Sequence, residues 1–141
     1  MLPRERARGL LVKALYQWQL AGHELDELMQ QYSQLAEYRR CDKSYFDELL
    51  RRVLENADAC DQLIAQFADR GLDQLDAIGR AILLLALTEL RFREDVPTKV
   101  VVNEAVNLAK RFGAADSYRF INAVADRAAK QLRSAPEATA G

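Results

Sequence analysis

Two cysteines, one histidine, three prolines and six glycines are all that this chain of 141 residues offers of the residue types that ligate metals, cross-link backbones or break helices. That scarcity excludes several classes of protein. Cys41 and Cys60 lie 19 positions apart with only His23 as an imidazole, too few ligands for a structural zinc site, so both are expected as reduced thiols without a disulfide. No apolar run approaches the roughly 18 residues that span a bilayer. Residues 1–20 carry arginines but lack the separate apolar stretch and small-residue cleavage site of a secretion signal. A soluble cytoplasmic protein with no membrane association is expected. There is also no Gly-rich phosphate loop, no nucleophile paired with a histidine base and no metal-ligand spacing, so neither enzyme activity nor a cofactor or metal is expected.

What the chain does have is apolar residues, half of its length, enough for a core in one compact domain. That domain is expected over residues 1–133, subdivided near residue 71, with a disordered Ala/Pro/Thr/Gly tail over 134–141. The net charge of −1 conceals an uneven distribution. Residues 1–23 carry +3, residues 24–89 carry fourteen acids against seven bases, residues 90–98 balance, and residues 99–141 again carry +3. If the two ends of the chain met in the fold, they would form a basic face on an acidic protein; solvated helix faces are the competing reading.

Apolar residues recur at helical spacing through most of the length, and strand signals are nearly absent. A first helix is predicted from about Arg4 to Leu20, with Leu11, Leu15 and Trp18 inward and Gly22 as its stop. A second is predicted over Leu25 to Tyr38. A third is capped by Asp42 or Ser44 and ends near Gly71, with Phe46 and Phe67 in the core. Asp73 is placed to cap a fourth, which is apolar almost all round from Ile78 to Leu87, as a central helix should be. A fifth begins at Pro97 and stops at Gly113 in the position of a left-handed cap. Val100-Val101-Val102 is the one place where a strand competes, but helical spacing continues through Ala105, Val106, Leu108 and Ala109. Asp116 or Ser117 caps a sixth helix, to about Arg133. The expected fold is all-α, a bundle of six to seven helices in two three-helix subdomains.

Arg4, Arg6 and Arg8 place guanidinium groups on the first turns of the first helix, where they oppose the helix dipole by a few tenths of a kcal/mol each. Stability alone would favour acids there; contacts to RNA phosphates or bases would favour arginine. A plain exposed helix start is the alternative. Tyr16, Phe112, Tyr118 and Phe120 are flat platforms for unpaired bases, or else core aromatics. Phe112 leads them, since it abuts Gly113 and lies between Lys110-Arg111 and Arg119. Glu89, Asn103, Glu104 and Asn122 interrupt apolar or mixed helices, and some of them read as buried hydrogen-bonding positions, with a catalytic carboxylate pair as the sharper alternative.

The segment Val96-Pro97, Asn103-Glu104, Phe112-Gly113, Asp116-Ser117 and Phe120-Ile121-Asn122 resembles the C-terminal signature of the NusB family of transcription antitermination factors. Arg6-Ala7-Arg8 with Ala14 to Leu20 resembles that family's first helix, Asp42 to Phe46 its entry to the third, and Arg80 to Leu90 its fourth. Gly79 stands where the family often has Glu. The resemblance covers roughly residues 4–133. It implies an all-helical, non-enzymatic protein that binds boxA-type single-stranded RNA with NusE, a small-subunit ribosomal protein. The assembly it implies keeps RNA polymerase elongating through ribosomal RNA operons. By position, it makes Arg4, Arg6, Arg8, Tyr16, Phe112, Asp116 and Phe120 the RNA-facing residues. A helical protein-interaction module without intrinsic RNA binding is the reading of a different class.

Overall fold

The computed structural model describes residues 1–68 and 75–133, which form seven α-helices and, among the described residues, no strand. The chain divides into two compact units, Met1–Glu55 and Asn56–Gly141. The subdivision expected near residue 71, the end of the third predicted helix, the Asp73 cap and the 134–141 tail all lie outside the described residues.

The first unit holds α1 (Pro3–Ala21), α2 (Leu25–Ser33), α3 (Ala36–Arg39) and the N-terminal part of α4 (Lys43–Phe67). Gly22 ends α1 in the left-handed conformation, φ 69°, with its N–H donating to the Trp18 carbonyl at 2.9 Å. Glu24 opens α2 through a reciprocal capping box with Glu27. The single helix predicted over Leu25 to Tyr38 is instead two. Ser33 Oγ donates back to the Gln30 carbonyl at 3.0 Å, and Leu35 is extended at ψ 149°, so the backbone leaves the helix there and restarts at Ala36. Asp42 starts α4, its Oδ1 accepting from the Tyr45 N–H at 3.1 Å. Leu11, Leu15, Leu28, Phe46, Leu49 and Leu50 are buried, each contributing about 1.5–3 kcal/mol of transfer free energy. Tyr32 stacks on Phe46 at 6.0 Å and Tyr38 meets it edge-on at 5.6 Å.

The second unit holds the remainder of α4 with α5 (Ala77–Phe92), α6 (Thr98–Phe112) and α7 (Ser117–Arg133). Residues 81–90 of α5 are buried without interruption, including Thr88 and Glu89. The cap of α5 is Asp76, whose Oδ1 accepts from the Gly79 N–H at 2.7 Å. Thr88 Oγ1 satisfies itself on the Leu84 carbonyl at 2.7 Å and stands 3.9 Å from the buried Cys60 thiol. Val100, Val101 and Val102 are helical, so the strand reading is closed. Of the polar interruptions, Glu89 is buried, Glu104 half-buried, and Asn103 and Asn122 exposed.

Arg133, the last residue of α7, ties this unit together. Its Nε donates to Leu90 O at 3.0 Å, Nη1 to Val96 O and Thr98 Oγ1, and Nη2 to Glu89 O and Arg93 O. A guanidinium has five N–H groups, and each here has its own acceptor. The cation meets carbonyls at the C-terminal end of α5, where it favours the helix dipole, and binds the connection into α6.

Candidate nucleic-acid interface

In the first unit, α1 carries four of the seven residues singled out above. Pro3 begins the helix in the first-turn position where its missing N–H costs nothing. Arg4 lies over the Tyr45 ring at 4.2 Å and 3.7 Å from Asp42 Oδ2. Arg6 is exposed, its Nε donating to Met1 O at 3.3 Å. Tyr16 is 38% exposed, on the same helix as the more exposed Leu20. Arg8 departs from the expectation. It is only 3% exposed and sits 5.5 Å over the same Tyr45 ring, so it is a packed cation and not a phosphate-facing group. The cause is helical geometry: Arg4 and Arg8 share one face, and that face meets Tyr45.

In the second unit, the corner between α6 and α7 gathers cations and aromatic rings. Arg111 lies 4.6 Å from the Phe112 ring, and Lys110 and Arg119 lie 4.9 and 5.7 Å from Tyr118. Lys110, Arg111 and Arg119 are exposed, while Phe112, Tyr118 and Phe120 are half-buried.

Two conformational expectations at this corner are corrected. Gly113 is extended, φ −85° and ψ 174°, and is no left-handed cap. Glycine is needed there for space: a Cβ would meet Ser117 Oγ at 2.5 Å and the Ala109 carbonyl oxygen at 2.8 Å. The left-handed residue is Asp116, φ 68°, a conformation that costs an L-residue about 1–2 kcal/mol and that Asp tolerates better than most. Nor does the Asp116 side chain cap α7. Its carboxylate is 79% exposed and 4.0 Å from Arg119 Nε, while its backbone carbonyl accepts from the Arg119 N–H at 3.2 Å.

Asp116 and Phe120 share a hollow of about 660 Å³ with Gly79 and Arg127, whereas Phe112 stands outside its lining beside Arg111. Arg4, Arg6, Arg8 and Tyr16 belong to the other unit. Local sequence did not mark Tyr45, Gly79 or Arg127 as part of either constellation. Tyr45 lies within the Asp42 to Phe46 stretch, which offered the one available signal.

No group of three or more His, Cys, Asp or Glu able to hold a metal occurs among the described residues, and none of their helices is long and apolar enough to cross a membrane. Burial, chiefly, pushes the Cys41 and Cys60 thiols above their ordinary range. Both are therefore poor nucleophiles at neutral pH.

Comparison with known proteins gives a consistent result. The sequence model of the NusB family matches residues 5–130. A transcription antitermination protein NusB of Pectobacterium carotovorum is 45% identical over 130 residues, 92% of this chain and 94% of that protein. The solved structure of NusB from T. maritima superimposes with a TM-score of 0.73 at 31% identity, over 93% of this chain and 94% of that one. A structure of the antitermination factors NusB and NusE in complex with double-stranded RNA shares the fold, with a TM-score of 0.77 at 23% identity over 90% and 96% of the two chains.

Proposed function

The chain belongs to the NusB family, and from that premise we propose that it is a non-enzymatic antitermination factor that binds boxA-type single-stranded RNA together with a NusE-type ribosomal protein. In that role it supports processive transcription of ribosomal RNA operons by RNA polymerase in the cytoplasm. The observation that carries the reading is the family match across residues 5–130. The chemistry of the exposed groups agrees with it. Arg6 on α1 and Lys110, Arg111 and Arg119 at the α6–α7 corner supply phosphate-attracting charge. Tyr16, Phe112, Tyr118 and Phe120 supply flat surfaces for unpaired bases. Arg4 and Arg8 hold Tyr45 between α1 and α4; Arg4, with the greater exposure, has reach to solvent, and Arg8 acts by positioning. Asp116 brings a solvated negative charge to the same corner and tempers RNA affinity.

The test is a titration of the protein with labelled boxA-type RNA and with a scrambled strand of equal length, each with and without the ribosomal partner. A preference for the boxA-type strand, strengthened by the partner, is expected. Equal binding to both strands would refute boxA recognition, and binding to neither would instead assign the chain to the class of helical protein-interaction modules.

A further inference from the structure

The connection from α3 into α4 carries charge against the trend of its surroundings. Residues 24–89 hold fourteen acids and seven bases, yet three of those bases, Arg39, Arg40 and Lys43, fall within five positions. All three are exposed. Packing within the first unit seats them beside the start of α1: the Asp42 N–H donates to the Pro3 carbonyl at 3.0 Å, and Asp42 Oδ2 lies 3.7 Å from Arg4 Nε. The nearby carboxylates are engaged elsewhere. Asp42 holds Arg4 and accepts from the Tyr45 N–H, Asp47 accepts from the Tyr38 hydroxyl at 3.1 Å, and Glu37 stands 3.8 Å from Lys13 Nζ. Glu5 is half-buried between Arg4 and Arg6. Lys43 carries its ammonium 5.9 Å from the Tyr38 ring, and among the described residues no carboxylate forms an ion pair with Arg40 or Lys43.

We propose that Arg40 and Lys43, with Arg39 beside them, form a phosphate-binding surface for RNA that flanks the boxA-type element, carrying the strand from Arg4 and Arg6 onto the α3–α4 corner. The proposal rests on the RNA-binding reading above and goes beyond it by assigning the flanking RNA to three cations of a different element. Their chemistry favours backbone over bases. Exposed, flexible cations neutralise phosphates and release counterions whatever the sequence, whereas the ring nearest to them, Tyr38, is half-buried with its hydroxyl fixed on Asp47. Continuity with Arg4 and Arg6 is what favours the RNA strand over an acidic protein as the occupant.

The experiment compares a minimal boxA-type RNA with the same RNA extended by a run of uridines at its 5′ or its 3′ end, each titrated against the full chain across a range of salt, with and without the ribosomal partner. One of the two extensions is expected to tighten binding and to steepen the slope of log affinity against log salt by up to about 1.4 for two added phosphate contacts, so that a fourfold drop in salt widens its advantage roughly sevenfold. Arg40→Gln combined with Lys43→Gln should abolish that advantage and leave the minimal RNA bound as before. Arg51→Gln combined with Arg52→Gln removes the same charge from exposed positions further along α4 and should keep the advantage. Melting temperatures are recorded for both double variants. No gain from either extension, a gain that survives loss of Arg40 and Lys43, or equal losses on minimal and extended strands would overturn the flanking surface while leaving boxA recognition intact. So would an equal effect of the Arg51 and Arg52 variant, which would reduce the corner to net charge. A loss that appears only with the partner, and equally for all strands, would make the corner a protein contact and overturn the proposal. Absence of any RNA binding would overturn the parent reading and this one with it.

Discussion

Replacing Arg133 by Ala removes a guanidinium whose five N–H groups all have acceptors: the carbonyls of Glu89, Leu90, Arg93 and Val96, and Thr98 Oγ1. A hydrogen bond to a charged group contributes about 1.5–3 kcal/mol when counted singly. The sum overstates the effect, because the group is only part-buried, freed carbonyls gain water and the guanidinium no longer has to be desolvated. We expect a net loss of about 3 kcal/mol, or a fall in Tm on the order of 10 °C for a domain of this size. Arg133→Lys keeps the charge near the end of α5 but has three donors on one atom, so it should recover less than half of the loss. Urea denaturation of the two variants and the parent measures this directly. Hydrogen exchange should show the added opening concentrated at the end of α5 and the start of α6. A loss below about 1 kcal/mol for the Ala variant, or full recovery by Lys, would refute the argument that five separate donors matter.

Asp116→Gly should raise stability by about 0.5–1 kcal/mol in thermal melts, because strain at φ 68° outweighs the added backbone freedom of glycine. Asp116→Asn should leave Tm unchanged, since the carboxylate caps nothing, and should tighten RNA binding at low salt; weaker binding would make Asp116 a base-reading acceptor. Arg6→Ala should make the slope of log affinity against log salt shallower by up to about 0.7, whereas Arg8→Ala should lower Tm before it changes that slope. Burial raises the folded values of Tyr32, Tyr38, Cys41 and Cys60. Their contribution to stability is fully present below the ordinary thiol value of 9.0 and is lost as pH rises through the raised folded values, so urea midpoints should fall as pH is raised above about 9.

Helices with a strong periodic face were legible because the period of the chain and the period of burial coincide: Leu11 with Leu15, and Phe46 with Leu49, Leu50 and Val53, are buried as spaced. Gly22 was legible as a stop because only its own backbone and the last turn of α1 decide it. The break between α2 and α3 was not, since Ser33 and Leu35 are tolerated in helices and the interruption follows from a side-chain bond one turn back.

The candidate site divides along the same line. Local pattern sufficed to bring out Arg6, Tyr16, Phe112 and Phe120, because charge and aromaticity at helical spacing are properties of a single element. Arg8 read identically to Arg6, yet it is buried over Tyr45, a residue of another helix that no local pattern pairs with it. The sequence marked both Gly113 and Asp116 as special, but tertiary packing assigned their roles. Ser117 crowds Gly113 and so demands a missing Cβ, while Asp116 takes the left-handed turn expected of the glycine. The hollow needs Gly79 of α5 and Phe120 of α7 in one place, and Arg133 finds its five oxygens on α5, on α6 and between them. Sequence alone determines which residues form helices and which faces of them are apolar, because those depend on neighbours a few positions away. Which charged or small residues end up sealed, crowded or cradled depends on partners tens of positions away, and only the packed helices decide that.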